Sequence, residues 1–330
     1  MRGRTIGLGL LALGAFLLAG ALVIPLLLAP ALVKLPLDEK ADAVAHGTGV
    51  EFYDIKNQKQ LTGLDVVVRQ HVLGHPDAPG AGDDVAVWER GTVLKSSGGT
   101  VLKASSYQVC LDRMTALSIP CASTTIDGHT GARIEGLTST FPIGTKKTTY
   151  PFYDSSAGKA FPARFTGVET KGGLQVYRFE QVVPETVIST DPAPGTMAGT
   201  GAPGNVPAEI VYSNTRTLWV EPTSGIIVTA DQDVKEVVRG PGGATGVTLL
   251  AGSFAPDADG VAKGVQRAKD ARFQITLLRS VLPWSMAGAG LLLVVVGLLM
   301  VRRSTAAGAH RPVADVPIES SEPARVPQVQ

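Results

Sequence analysis

Charge is missing from two long stretches, one near each end of this chain. Between Arg4 and Lys34 lie 29 consecutive uncharged residues, Thr5 to Val33. Between Arg279 and Arg302 lie 22 more, Ser280 to Val301. Crossing the hydrocarbon core of a bilayer takes roughly 20 apolar residues at 1.5 Å rise each, so both runs are long enough to span. The first also has a leader-like form, with basic Arg2 and Arg4 ahead of it and small residues at Ala29-Pro30-Ala31. Leader apolar regions run to about 7–15 residues, and the greater length here favours a retained anchor over a cleaved signal peptide. The second run ends on Arg302-Arg303 and carries Trp284 at its start, where an indole suits the headgroup level. Gly288, Gly290 and Gly297 offer it close helix contact.

Basic flanks mark the cytoplasmic side. Arg2 and Arg4 precede the first run, and Arg302 and Arg303 follow the second. The expected organisation is therefore a cytoplasmic N-terminus (1–5), a first transmembrane helix (6–33), an extracytoplasmic domain (34–280), a second transmembrane helix (281–301) and a disordered cytoplasmic tail (302–330). That is a two-span plasma-membrane protein with both termini inside.

Setting aside Arg2, Arg4 and the basic and acidic residues after position 301 leaves 24 Lys+Arg against 26 Asp+Glu in the middle segment. No basic stripe is present, which argues against a nucleic-acid partner. Gly and Pro are plentiful, at 38 and 22, and aromatics are only 5% of the chain, as in a turn-rich β protein. The two cysteines, Cys110 and Cys121, both fall in the middle segment. In an oxidising compartment one disulfide closing a short loop is expected. Two free thiols and a metal pair are the alternatives.

Residues 34–49 read as a lead-in with little pattern, and strands begin at Val50. Lys171-Gly172-Gly173 makes a tight turn between Ala163–Glu169 and Gly173–Val183, a hairpin. In the second strand Tyr177 and Phe179 share a parity suited to a core. Residues 191–207 are rich in Pro and Gly and read as a loop. Glu221-Pro222-Thr223-Ser224-Gly225 has the chemistry of a turn between Glu209–Val220 and Gly225–Val238. Over 257–282 the apolar spacing becomes helical, with Asp257 or Asp259 as cap. The fold class is mainly β: an antiparallel curved sheet or sandwich-like domain between two transmembrane helices, with a helix leading into the second span.

No nucleophile elbow, phosphate-binding glycine loop, H-E-x-x-H or paired C-x-x-C occurs. No catalytic residue, cofactor or metal ligand is therefore assigned, and no enzymatic activity is expected. His71 and His75 fall on one face of a strand about 13 Å apart, too far to share a metal. Asp154 reads as a turn cap, and Asp112-Arg113 as a local ion pair.

Three segments resemble a known family: Lys146–Pro184, containing YPFYD and GLQVYRF; Asn214–Val228, containing LWVEPTSG; and CLDRMTALSIPC around the cysteines. They are similar to actinobacterial envelope proteins filed as the porin PorA family, long a domain of unknown function. The motif residues carrying the likeness are Tyr150, Asp154, Tyr177, Phe179, Trp219, Pro222 and Gly225. The resemblance implies a cell-envelope location and channel formation by at least some members. Porin barrels, however, cross with strands of about 9–11 residues bearing a lipid-facing side, whereas helical spans are read here. The expectation is thus a membrane-anchored binding or structural protein of the envelope, with lipid, another hydrophobic ligand or a cell-wall component as partner. The alternatives are a porin-like channel and, behind it, an envelope hydrolase. Lipid carriage requires a continuous apolar cavity in the β domain.

Overall fold

The computed structural model describes residues 2–308. Most of the tail expected over 302–330 lies outside them. The described residues form two compact units: residues 2–28 with 279–308, and residues 29–278.

The first unit is helical. Helix α1 runs Arg2–Val23 and gives way to π-helical Ile24–Leu28; the short α2 at Ala29–Leu32 that follows belongs to the second unit. Pro25 and Pro30 lie where the regular ladder fails, since each lacks an N–H. Helix α4 covers Leu282–Gly308. Two helical stretches, Thr5–Leu32 and Ala258–Arg303, are long and apolar enough to cross a membrane. Glycines set how α1 and α4 pack. A Cβ on Gly14 would stand 2.8 Å from the carbonyl oxygen of Gly290, and one on Gly7 3.1 Å from that of Gly297. The pairing of low with high numbers makes the helices antiparallel, with backbones in contact as small residues allow. Gly288 faces open space.

The second unit is the β domain. Its strands are β1 (Lys40–Asp54), β2 (Lys59–Gly74), β3 (Val85–Ser96), β4 (Val101–Asp112), β5 (Ser118–Ile119), β6 (Thr125–Ile126), β7 (His129–Thr130), β8 (Tyr150–Asp154), β9 (Lys159–Lys171), β10 (Leu174–Ser189), β11 (Ala193–Pro194), β12 (Asn205–Val206), β13 (Glu209–Val220), β14 (Ile227–Arg239) and β15 (Thr245–Phe254). Helix α3 follows at Ala258–Thr276, its N-terminus capped by Asp257, which accepts from the Gly260 amide at 2.8 Å. Among the described residues thirteen strands form one antiparallel sheet, ordered β7-β6-β4-β3-β2-β1-β15-β14-β13-β10-β9-β8, with β5 on β4. Gly136 and Leu137 link β5 to β8. Ser118 of β5 donates to Gly136, and Leu137 bridges to Phe152 of β8. These contacts tie the segment after β5 to β8, while β7 and β8 remain the ends of the curved sheet.

The interior is layered. At one end Phe141, Phe152, Phe179, Leu218, Leu137 and Val220 are fully buried or nearly so; each such side chain contributes roughly 1.5–3 kcal/mol through burial. At the other end Val50, Val66, Val68, Leu94, Leu250 and Phe254 make a second cluster. Helix α3 covers part of the outer face, packing Val265 and Ala268 on Leu174, Val176, Trp219 and Val228. The fit is close at Gly264, where a Cβ would lie 2.0 Å from the Val228 carbonyl oxygen.

Several expectations are met and three are corrected. Gly172-Gly173 turns β9 into β10 with both φ positive, at 54° and 77°. Cys110 and Cys121 are disulfide-bonded, with Cα atoms 6.1 Å apart. The lead-in, by contrast, is already strand from Lys40, because β1 pairs with β2 along its whole length. The 191–207 segment is packed: β11 and β12 pair, and Met197 and Ala198 are buried against Tyr53, Ala208 and Val238. Asp112 and Arg113 do not pair. Asp112 instead accepts from the Met114 and Thr115 amides, and Arg113 donates to the carbonyls of Leu35 and Asp83.

Candidate functional site

Between the two apolar clusters, inward positions of the sheet carry polar side chains. On β3 the inner face reads Ala86, Trp88, Arg90, Thr92, Leu94, and on β2 it reads Val66, Val68, Gln70, Val72. Arg90 Nη2 donates to Gln70 Oε1 at 2.8 Å, and Nη1 to the Thr138 carbonyl at 3.1 Å. On β13 Arg216 donates to Asp154 Oδ2 at 3.0 Å and to Gln181 Oε1 at 2.8 Å. Asp154, 1% exposed, also receives the Tyr212 hydroxyl at 3.1 Å on Oδ2, while its Oδ1 caps the turn after β8 through the Ser156 and Ala157 amides. Lys103 of β4 reaches Glu236 of β14 at 2.7 Å. Those strands stand five places apart in the sheet, so this bridge crosses the interior.

This belt lines a chamber of about 110 Å³. Burial pushes the Tyr153 phenol up to about 12, with the Tyr107 and Asp154 charges adding to the shift. Tyr212 rises further for the same first reason, burial, again with Asp154 beside it. Both phenols are neutral donors at any physiological pH. Among the described residues the Tyr153 hydroxyl and the Thr138 Oγ1 are buried without a partner.

A second cavity of about 430 Å³ opens where α3 meets the sheet. Its walls are mostly apolar, including Val33, Leu35, Trp88, Ile143, Ile226 and Ile275. Arg267 and Glu39 line it as an ion pair of 2.7 Å. The Trp88 indole donates to the Pro36 carbonyl at 3.0 Å. Cavities of roughly 300–1,000 Å³ hold small organic ligands.

The seven motif residues do not converge. Tyr150 and Phe179 pack with Phe141, at ring distances of 5.3 and 4.7 Å from it. Tyr177 stands edge-on to Phe165. Trp219 faces α3 on the outer side and donates to Glu169 at 2.8 Å. Pro222 and Gly225 shape the β13–β14 turn, held by buried Glu221 through the Thr223 and Ser224 amides. Only Asp154 belongs to the belt. Arg90, Lys103, Gln181, Arg216 and Glu236 were missed from sequence. Gln181 and Glu236 carry a signal, a polar residue with apolar neighbours two positions away on both sides, Phe179 and Val183 or Val234 and Val238; Arg90, Lys103 and Arg216 have an apolar neighbour on one side alone. His75 pairs with Glu89 at 3.1 Å. Among the described residues no three His, Cys, Asp or Glu gather as a metal site.

The sequence profile described as Porin PorA matches residues 6–299. The chain belongs to the porin PorA family. Porin PorA of Corynebacterium amycolatum is 25% identical over 380 aligned positions, covering 89% of this chain and 97% of that protein. Porin PorA of Corynebacterium resistens is 23% identical over 311 positions, covering 69% of this chain and 74% of that protein. The PorA family match takes in most of both apolar helices, the disulfide and the whole sheet.

Proposed function

We propose that this chain is a porin-like protein of the cell envelope, anchored by two membrane-spanning helices, with its β domain outside the cytoplasm and no catalytic role. The observation that carries this reading is the PorA match over residues 6–299, together with relatives named as porins. The polar belt supports a passage role, since it lines the inner face of the curved sheet with charge and amide groups. The Lys103–Glu236 bridge spans that interior, so conduction requires it to part, or copies to assemble around a shared path. Purified protein in planar bilayers tests this. Discrete conductance steps are expected, altered by the paired change Lys103→Ala and Glu236→Ala. Folded protein that gives no steps across repeated preparations would sink the reading.

The second reading is binding of a lipid or another hydrophobic ligand. What favours it is the apolar cavity of about 430 Å³, whose walls include residues directly following the first apolar run and preceding the second in sequence. Native mass spectrometry of the membrane-extracted protein is expected to show co-purifying lipid. Replacing Ile226 by Trp to fill the cavity is expected to remove it. Bare protein from several mild extractions would end that reading.

A further inference from the structure

Three cations line the chamber inside the sheet, and two are matched by carboxylates: Arg216 by Asp154 and Lys103 by Glu236. Arg90 has no carboxylate partner among the described residues; an amide oxygen and a carbonyl hold its guanidinium in place. The chamber therefore keeps one uncompensated positive charge. Tyr153 lines it too; the residue is 3% exposed, and its hydroxyl is buried with no partner among the described residues. Buried hydroxyls without partners are rare, and each asks for something in the adjoining space. Charge and hydrogen bonding make the same demand here: an acceptor that is negative and small enough for about 110 Å³. A phenol held neutral to about pH 12 can meet such an acceptor only as a donor. Charge-assisted bonds from a guanidinium fork to carboxylate or phosphate oxygens are the strong, directional kind.

We propose that this chamber is an oxyanion site, where Arg90 and the Tyr153 hydroxyl together bind the carboxylate or phosphate group of a ligand. The inner faces of β2 and β3 also say where the rest of that ligand could go. One step of two residues leads from Gln70 to Val72 and from Arg90 to Trp88, that is, from the polar chamber to the apolar cavity. That step is about 7 Å along a strand. An oxyanion carrying an alkyl chain would use both spaces, whereas free phosphate would use only the chamber. The oxyanion site is independent of conduction; its alkyl-chain arm alone rests on the hydrophobic-ligand reading.

The test is calorimetric titration of the full chain in phosphatidylcholine nanodiscs, against empty discs, with inorganic phosphate and separately with decyl phosphate. Saturable binding of at least one is expected. Tyr153→Phe should weaken it tenfold or more while leaving the melting temperature without ligand unchanged or raised, since the change only removes an unpartnered hydroxyl. Arg90→Lys, which keeps the charge and loses the fork, should weaken it as well. Equal loss for both ligands assigns the site to free oxyanions. Binding of decyl phosphate alone assigns it to an anionic amphiphile. If neither ligand binds the wild type, or Tyr153→Phe binds as tightly as wild type, the chamber holds water only and the proposal is overturned.

Discussion

Asp154 is buried and meets two demands at once, capping a turn with one oxygen and receiving Arg216 and Tyr212 with the other. Burying an ion pair is no guarantee of net stability, but breaking one by removing a single partner leaves an uncompensated charge, at a cost of about 3–5 kcal/mol. Asp154→Asn is expected to lower unfolding stability by about 3 kcal/mol in denaturant titrations. Adding Arg216→Met should recover much of that loss, and strict additivity of the two changes would refute the coupling. The phenols give a pH dependence at the alkaline end. Tyr153 titrates at about 12 in the folded protein and near 10 when unfolded. Its neutral form is thus favoured by folding. The contribution is fully present below about pH 10 and is lost as pH rises through 12. Melting temperatures should therefore fall steeply only above about pH 10, and Tyr153→Phe should shallow that fall.

Elements can be tested where a single contact fixes their approach. Gly14 meets the Gly290 backbone in the α1–α4 pair, whereas Gly9 faces open space. Gly14→Leu is expected to lower the melting temperature of the detergent-extracted protein by several degrees, with Gly9→Leu near wild type; equal effects would show that the helices do not pack through these glycines. The disulfide ties β4 to the loop carrying Cys121 across 11 residues, and removing both cysteines as serine should cost about 3 kcal/mol. Elements with local chemistry were readable from sequence. The Gly172-Gly173 hairpin, the Glu221–Gly225 turn, the Asp257 cap and the cysteine loop each depend on residues a few positions apart. What could not be read depended on distant partners. In β10 buried positions switch parity from Leu174 and Val176 to Phe179 and Gln181, across a bulge between Arg178 and Phe179. Tyr177 and Phe179 read as a core face, and Phe179 is fully buried with Tyr177 packed against the same cluster; what stays hidden is that α3 buries the opposite face as well, through Leu174 and Val176. The belt was hidden likewise, since Arg90 shows only as a charge in a strand until Gln70 and Thr138 are beside it.

For the molecule as a whole, the antiparallel packing of α1 and α4 supports the topology read from the arginines. Two spans running in opposite directions return the chain to the side it left. The proposed topology puts the two termini on one side of the membrane and the β domain on the other. The proposal of cytoplasmic ends rests on Arg2, Arg4, Arg302 and Arg303. The disulfide fits a domain on the oxidising side. With its two cysteines bonded, the chain accepts single cysteine probes cleanly. Lys56 is exposed in the β1–β2 turn, and Ser320 belongs to the C-terminal tail by sequence. In intact cells a membrane-impermeant maleimide is expected to label Lys56→Cys and to leave Ser320→Cys unlabelled until the membrane is opened. The reverse pattern would invert the topology. Labelling of both in intact cells would mean that one apolar run does not span, and a mature chain starting at Leu32 would then identify the first run as a cleaved leader. In that outcome α4 alone would hold the domain, and the glycine contacts at Gly7 and Gly14 would have no place in the mature protein.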